Sequence, residues 1–579
     1  MINRFIYTLL ISSFFVSNAS AKSYSNEDVL NTLDNIQFAF ELGYAPTEWK
    51  STHAGWSLDA EVLKAKTSIS NKNYKTVYDY HKIISSFFRN TKDYHVSVGL
   101  LTTLASSLPF TVKAVENENR YFVAYIDEKK LSPNDFPLAV GDEIITFAGK
   151  PVQEEIDFIL SEYSTDVPLT DRSFATLLLT RRKASNALTV PTGTIEVTVR
   201  KKGKKDLKTL QLIWEHTPEK IQHNPKPTNP TPTFFAAKQM LNSKPVIRKN
   251  MVFPIWKNLS DEADEKASEE ESKYKNNDNK HQIGGKVSFI PELGDIIWQA
   301  EDETAFKAYM YRNKAGKVIG YIRVAHYGHS DAEFTAFKEV IEKFKKTTDG
   351  LVIDQVNNPG GSVFYLYALT SVLTDKPLVA PKHKIKLKQE TVSESLSLLE
   401  QLKTVKDNES AKKVLGNTWD GYPVNYQVAE YTKQFCNFIL NQWSAGKSLS
   451  DPMYLYAADK IMPDADTNYT KPILLLTNSL DFSGGDFFPA ILQDNKRVTI
   501  MGTRTAGAGG YVEQFTFPNR VGISSMSMTG SIALRVNKAP IENLGVTPDI
   551  LYSITAADLE NNYKDYVLKI NLEINNLIK

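Results

Sequence analysis

Two apolar runs that end in glycine-bearing turns constrain this chain more than any other feature. Gly350-Leu-Val-Ile-Asp354 leads into Asn357-Asn-Pro-Gly360-Gly361-Ser362, and Pro472-Ile-Leu-Leu-Leu-Thr477 leads into Asn478-Ser-Leu-Asp-Phe-Ser483-Gly484-Gly485. Each run is short and is followed by a helical pattern, Val363 to Leu373 in the first case and about Ser483 to Leu492 in the second. A strand that is apolar on both sides needs cover on both faces, which places it in a mostly parallel sheet with helices above and below. Lys317 to Val324 and Arg497 to Met501 read as further strands, and Phe334, Phe337, Val340, Ile341 and Phe344 as the stripe of a helix beside them. In such sheets, sites form at the carboxyl ends of strands, where both glycine turns would lie.

A serine at a strand-to-helix turn exposes its hydroxyl beside helix N-terminal amides, which are unpaired donors able to hold a developing oxyanion. Ser483 is such a serine. Neither glycine turn suits phosphate, because no Gly-Lys-Ser/Thr follows. On glycine content alone, ordinary turns are the simpler reading, so the chemistry depends on what else the chain supplies.

At 579 residues, two to four domains are expected. A formal charge of +1 gives no global argument for nucleic acid or an anionic membrane surface, and no nucleic-acid-binding signature is present. Met1 to Arg4 is basic, Phe5 to Val16 mostly apolar, and Asn18-Ala-Ser-Ala21 ends in an Ala-x-Ala pattern. This reads as a Sec-type signal peptide over 1–21, cleaved after Ala21; the apolar run falls short of the ~20 residues that span a bilayer. The expected product is secreted or periplasmic, without a membrane anchor. Cys436 is the only cysteine, on an apparent helix face, so no internal disulfide can form. No His-x3-His pair occurs, and neither a metal nor an organic cofactor is called for.

Residues 22–108 are largely helical, with Asp28 to Leu42 and Val77 to Phe88 spaced at three and four. From 109 to 217 the texture is β-rich, with strands expected at Phe110 to Val115, Tyr121 to Ile126 and Thr194 to Arg200. Within it, Leu138-Ala-Val-Gly141-Asp142-Glu-Ile-Ile-Thr-Phe-Ala-Gly149 resembles the core of PDZ domains, which bind peptides as an added strand. A Gly-Leu-Gly-Phe carboxylate loop is missing, so a purely structural PDZ-like module is the alternative. Residues 218–290 run from a proline-rich stretch into Asp261 to Glu271, where seven of eleven residues are acidic. Such a segment reads as a mobile tether, or as a regulatory plug cut from a precursor. The α/β core occupies 291–579.

Gly350 to Ser362 resembles the "LVIDLRNNPGG" signature of tail-specific (C-terminal processing) serine peptidases. Asn478 to Asp494 resembles their nucleophile block, with Ser483 as nucleophile, and Glu542-Asn-Leu-Gly-Val-Thr-Pro-Asp549 their "E-N-x-G-V-x-P-D" close. A tighter resemblance to one branch of that family runs through Tyr44-Ala-Pro-Thr-Glu-Trp-Lys50, Asp354 to Leu369, Asp481 to Pro489 and Gly502 to Gly510. The resemblance implies a crotonase-like (ClpP/crotonase) α/β core, a helical N-terminal region and a PDZ-like domain. Many of these peptidases use a Ser–Lys dyad with the lysine in an "FGKG" loop. Here that loop is Thr505-Ala-Gly-Ala508-Gly-Gly, and Arg504 cannot act as base because guanidinium stays protonated.

Asp93-Tyr-His95-Val-Ser resembles the "D-x-H-(T/S)" motif of the family's histidine branch. Neutral imidazole can take the serine proton near pH 7 and return it to the leaving amine. Without that frame His95 would read as structural, and His81, His326, His329 and His383 are alternatives to it. Glu542 matches the carboxylate that supports the imidazole. The expected oxyanion donors are the amide of Gly484 and one from the Asn357–Gly361 loop, Gly360 in preference to Gly361, between which glycine identity hardly chooses. The full expectation is an exported serine endopeptidase acting on protein or peptide substrates through an acyl-enzyme. By resemblance it is also a self-cleaving zymogen, a homodimer and a virulence factor that reaches the host cell. A non-catalytic peptide-binding scaffold is the main rival. An esterase is a weaker one, since no Gly-x-Ser-x-Gly elbow is present.

Overall fold

Continuous apolarity in the core strands predicts burial on both faces, and the computed structural model, which describes residues 26–71, 76–131, 137–221, 281–301, 306–328 and 331–578, places them so. One seven-stranded sheet has the order Asp295–Gln299, Ala308–Arg312, Val318–Arg323, Gly350–Asp354, Ile473–Thr477, Thr499–Gly502, Ile550–Leu551. From Val318–Arg323 onward neighbouring strands are parallel, and the first two extend one edge as antiparallel pairs. Successive side chains point to opposite faces. Leu351, Ile353 and Leu475 join the core under helices Asp331–Thr347, Val363–Ser371 and Gly484–Asp494, whereas Val352, Leu474 and Leu476 pack towards helix Lys564–Leu577. The Phe337, Val340, Ile341, Phe344 stripe is the buried face of its helix.

A second sheet runs Phe110–Ala114, Tyr121–Ile126, Glu143–Phe147, Thr194–Arg200, Leu207–Ile213, all antiparallel, with helices Val152–Glu162 and Pro168–Leu179. Its Gly-Asp turn is explicable residue by residue. Gly141 has φ +90°, and the buried Asp142 carboxylate accepts from the Ala139 and Lys202 amides at 2.8 and 2.9 Å. Phe110–Ala114 is an edge strand, and helix Pro168–Leu179 packs along it.

The N-terminal region forms four helices, Asn26–Gly43, Thr47–Ala54, Leu58–Ser70 and Val77–Arg89. The last opens with a Thr76/Asp79 capping box and buries Tyr80, Ile84, Phe87 and Phe88 on one face. This layer is joined to the core by strand Ser97–Leu100, which pairs antiparallel with Ile523–Thr529. Three helices, Gln389–Leu402, Asn408–Leu415 and Tyr426–Ser444, form an insertion that the sequence reading did not delineate; Cys436 is buried in the last of them.

The signal-peptide region 1–21 lies outside the described residues, as does 222–280 within the expected tether or plug. The chain is tied down on both sides of that stretch. Glu219 accepts from the Tyr78 hydroxyl at 2.7 Å and the Thr103 amide at 3.1 Å. On the far side the Gly284 amide donates to the Asn357 carbonyl at 2.8 Å, and the Arg323 guanidinium to the Gly285 carbonyl at 3.2 Å. Among the described residues no helix is long and apolar enough to cross a membrane, and no His/Cys/Asp/Glu group is arranged to hold a metal.

Candidate active site

Ser483 lies between strand Ile473–Thr477 and helix Gly484–Asp494, with φ 54° and ψ −113°. A non-glycine residue there is strained by on the order of 1–3 kcal/mol and persists only where its surroundings over-determine it. They do so here. The Phe482 amide donates to the Asn358 carbonyl at 2.8 Å, and the Ser483 carbonyl accepts from Asp486 and Phe487 at 2.7 and 2.9 Å. Fully buried Asp481 accepts from the Asn358 and Asn478 amides and from Gln355 Nε2 at 3.0, 2.9 and 3.1 Å. Gln355 in turn donates to the Gly485 carbonyl at 2.8 Å. These bonds stitch the two glycine turns into one unit.

The turns meet closely. A Cβ on Gly360 would stand 2.7 Å from Ser483 Cβ and 2.6 Å from the Gly484 nitrogen, so only glycine permits the approach. The Gly360 amide, the expected second oxyanion donor, is already committed to Asn358 Oδ1 at 2.7 Å. The amides of Gly484 and Gly361 have no hydrogen-bond acceptor among the described residues. The Gly361 nitrogen lies 3.2 Å from where a Gly484 Cβ would stand.

His95 is fully buried at the entry to strand Ser97–Leu100. Asp93 fixes its backbone: Oδ1 accepts the His95 amide at 2.8 Å, while Oδ2 accepts the Tyr44 and Thr529 hydroxyls at 2.9 and 2.8 Å. Ser527 Oγ donates to the His95 carbonyl at 2.7 Å. The Tyr94 ring stacks edge-on against Phe482 at 5.2 Å, which brings the residue before His95 against the residue before Ser483.

Glu542 is also fully buried. Its carboxylate accepts from the Lys50 ammonium and, at 2.9 Å, from the Gly509 amide. Burial first, then the nearby Asp93 charge, pushes its pKa up to about 8, while Lys50 and the Gly509 amide pull it down. The histidine, serine and glutamate segments thus converge from chain positions hundreds of residues apart.

The loop that carries lysine in the dyad enzymes is held here by Asp486. Its buried carboxylate accepts from the Thr505 hydroxyl at 2.5 Å and from the Gly507 and Ala508 amides at 2.8 and 3.0 Å. Burial raises Asp486 to about 6, with those donors opposing. Arg504 donates to the Leu544 and Asn543 carbonyls. Of the alternative histidines, His383 stacks on Phe487 at 5.6 Å, and burial drives it down to about 3. His81 contacts the Val521 carbonyl at 2.7 Å within the helical layer, and His326 accepts the Gly328 amide at 3.2 Å. His329 lies outside the described residues. Lys50 is absent from the sequence-derived site, and Gly361 stands there only as the alternative to Gly360. Lys50 stands within a quoted motif, but nothing in the sequence shows what it touches.

An α/β sheet that presents a serine on a strained strand-to-helix turn, preceded by a PDZ domain, is the architecture of a serine peptidase. Residues 318–552 match peptidase family S41, and residues 104–221 match a PDZ domain. The chain belongs to peptidase family S41. It is 35% identical over 607 residues to an uncharacterized protein of Chlamydia muridarum, covering 100% of this chain and 97% of that one. A protein of Chlamydia trachomatis serovar D is 34% identical, with 98% and 96% covered. Among solved structures, mature CPAF complexed with lactacystin superposes with a TM-score of 0.80 at 31% identity, over 96% of this chain and 99% of that one. The sequence resemblance to the chlamydial protease-like activity factor and the crotonase-like α/β reading both stand.

Proposed function

We propose that this serine peptidase is an endopeptidase acting through a Ser483–His95–Glu542 triad. Ser483 Oγ attacks the scissile carbonyl while His95 removes its proton. The carbonyl oxygen, now an anion, is received by the amides of Gly484 and Gly361. Collapse breaks the C–N bond, His95 hands the proton to the leaving amine, and water then hydrolyses the acyl-enzyme by the same route. Glu542 stabilises the imidazolium formed in between. The observation that carries this reading is the Ser483 turn, a strained serine pinned from both sides beside two amides without acceptors.

The proposal extends to export through the 1–21 signal, to a secreted or periplasmic destination, to host-cell delivery by resemblance, and to assembly as a homodimer. It also includes self-cleavage within 218–290, on the strength of the resemblance to CPAF, whose solved form is described as mature. The Pro-rich to acidic composition of that stretch suits a protease-accessible segment.

The test is Ser483→Ala. The variant should lose peptide cleavage, self-processing and labelling by a serine-directed fluorophosphonate, with its circular dichroism unchanged. Mass spectrometry of both proteins would locate any cut. Substantial proteolysis by the purified variant would refute the nucleophile assignment.

A further inference from the structure

Lys50, on helix Thr47–Ala54, is fully buried, and each of its three ammonium hydrogens has an acceptor. These are the Glu542 carboxylate, Asn543 Oδ1 at 2.7 Å and the Lys92 carbonyl at 2.7 Å. Three acceptors thus hold the Lys50 ammonium in one place. Its acceptors come from the two loops that the triad must hold together. Lys92 has φ 55° and turns its carbonyl inward three residues before His95; that carbonyl also accepts Asn543 Nδ2 at 2.8 Å. Asn543, the residue after Glu542, has φ 60° and takes a further bond from Trp49 Nε1 at 3.2 Å.

We propose that Lys50 is a positioning residue of the peptidase, a buried ammonium that locks the Glu542 carboxylate to the backbone of the His95 loop. This rests on the triad reading above. The groups facing Glu542 are Lys50, Asp93 and Tyr44, with His95 on the Asp93 loop and Arg504 on the carbonyls of Asn543 and Leu544. Lys50 is the cation in direct contact with the carboxylate, so it keeps Glu542 able to support an imidazolium. Removing one partner of a buried pair leaves the other uncompensated, and Glu542 would then hold its proton to still higher pH.

The test is Lys50→Met, assayed for kcat, KM and the pH dependence of kcat/KM, alone and with Glu542→Gln. The expected result is a fall in kcat of about 10- to 100-fold, the size of one lost charge-assisted hydrogen bond, with KM nearly unchanged. The upper limb of the pH profile should move to higher pH. In the Glu542→Gln background the further loss should be at most about twofold, because the carboxylate that Lys50 serves is already gone. If Lys50→Met does not fold, Lys50→Gln, which retains two donors, provides the same comparison. Wild-type kcat and pH profile, or losses that multiply in the double variant, would overturn the proposal. His95→Ala separates the two claims: if it stays active the triad reading fails, whereas an inactive His95→Ala beside a fully active Lys50→Met removes only Lys50.

Discussion

Glu542 has a titration that activity measurements can follow. Its pKa is pushed up from 4.5 to about 8, so it ionises as pH rises through that value, and on the proposed triad the ionised form is the one that would support the imidazolium. We expect kcat/KM to climb across the histidine range, roughly pH 6 to 7, and to gain a second step near pH 8. Glu542→Gln should keep the first step and abolish the second. A single rise above pH 8 that survives in that variant would point to an amine base instead. The sign for stability is opposite: a raised carboxyl pKa contributes stability below the unfolded value near 4.5, and this is lost as pH climbs through about 8. Ser483, His95 and Glu542 could be nominated from sequence because each lies in a recognisable motif. Lys50 could not, since its carboxylate partner lies 492 residues away. Nor could sequence choose between the Gly360 and Gly361 amides, because the orientation of the Asn358 side chain decides it.

The loop after strand Gly350–Asp354 is the element whose shape matters most to the proposed chemistry. Gly361 has φ 146°, and a Cβ there would stand 2.2 Å from the Tyr327 carbonyl carbon. Gly361→Ala must therefore displace the loop and its amide. We expect a loss in kcat on the order of 10²–10³, typical of losing one oxyanion donor, while far-UV circular dichroism stays native. Wild-type kcat would remove Gly361 from the oxyanion site. The core strands and the helices flanking them were readable because unbroken apolar runs and three–four spacing are strong signals. The insertion Gln389–Ser444 was not, because its helices bury little: Leu402, Val405, Ala411, Val424 and Ala429 make up one of its small clusters. A thin apolar stripe leaves a faint period.

Across the whole molecule, His95 and Lys50 precede residues 222–280, and Ser483 and Glu542 follow them. The two parts share buried clusters, one mixing Tyr94 and Leu178 with Phe482 and Ala508, another mixing Phe40 and Val98 with Met526 and Met528. Residues 26–221 and 281–579 produced together as separate chains should therefore co-purify and label with fluorophosphonate, whereas neither alone should label. Labelling of 281–579 by itself would show that the base is not in the first part.

The strand pair that seats His95 also dictates a schedule. Ser97 bonds to Ser527, 430 residues later, so on the proposed triad His95 cannot be seated as base until the segment around Ser527 has been made. On that reading a growing chain lacks its seated base for most of its synthesis. A protease born in this order has little opportunity to injure the machinery that makes it.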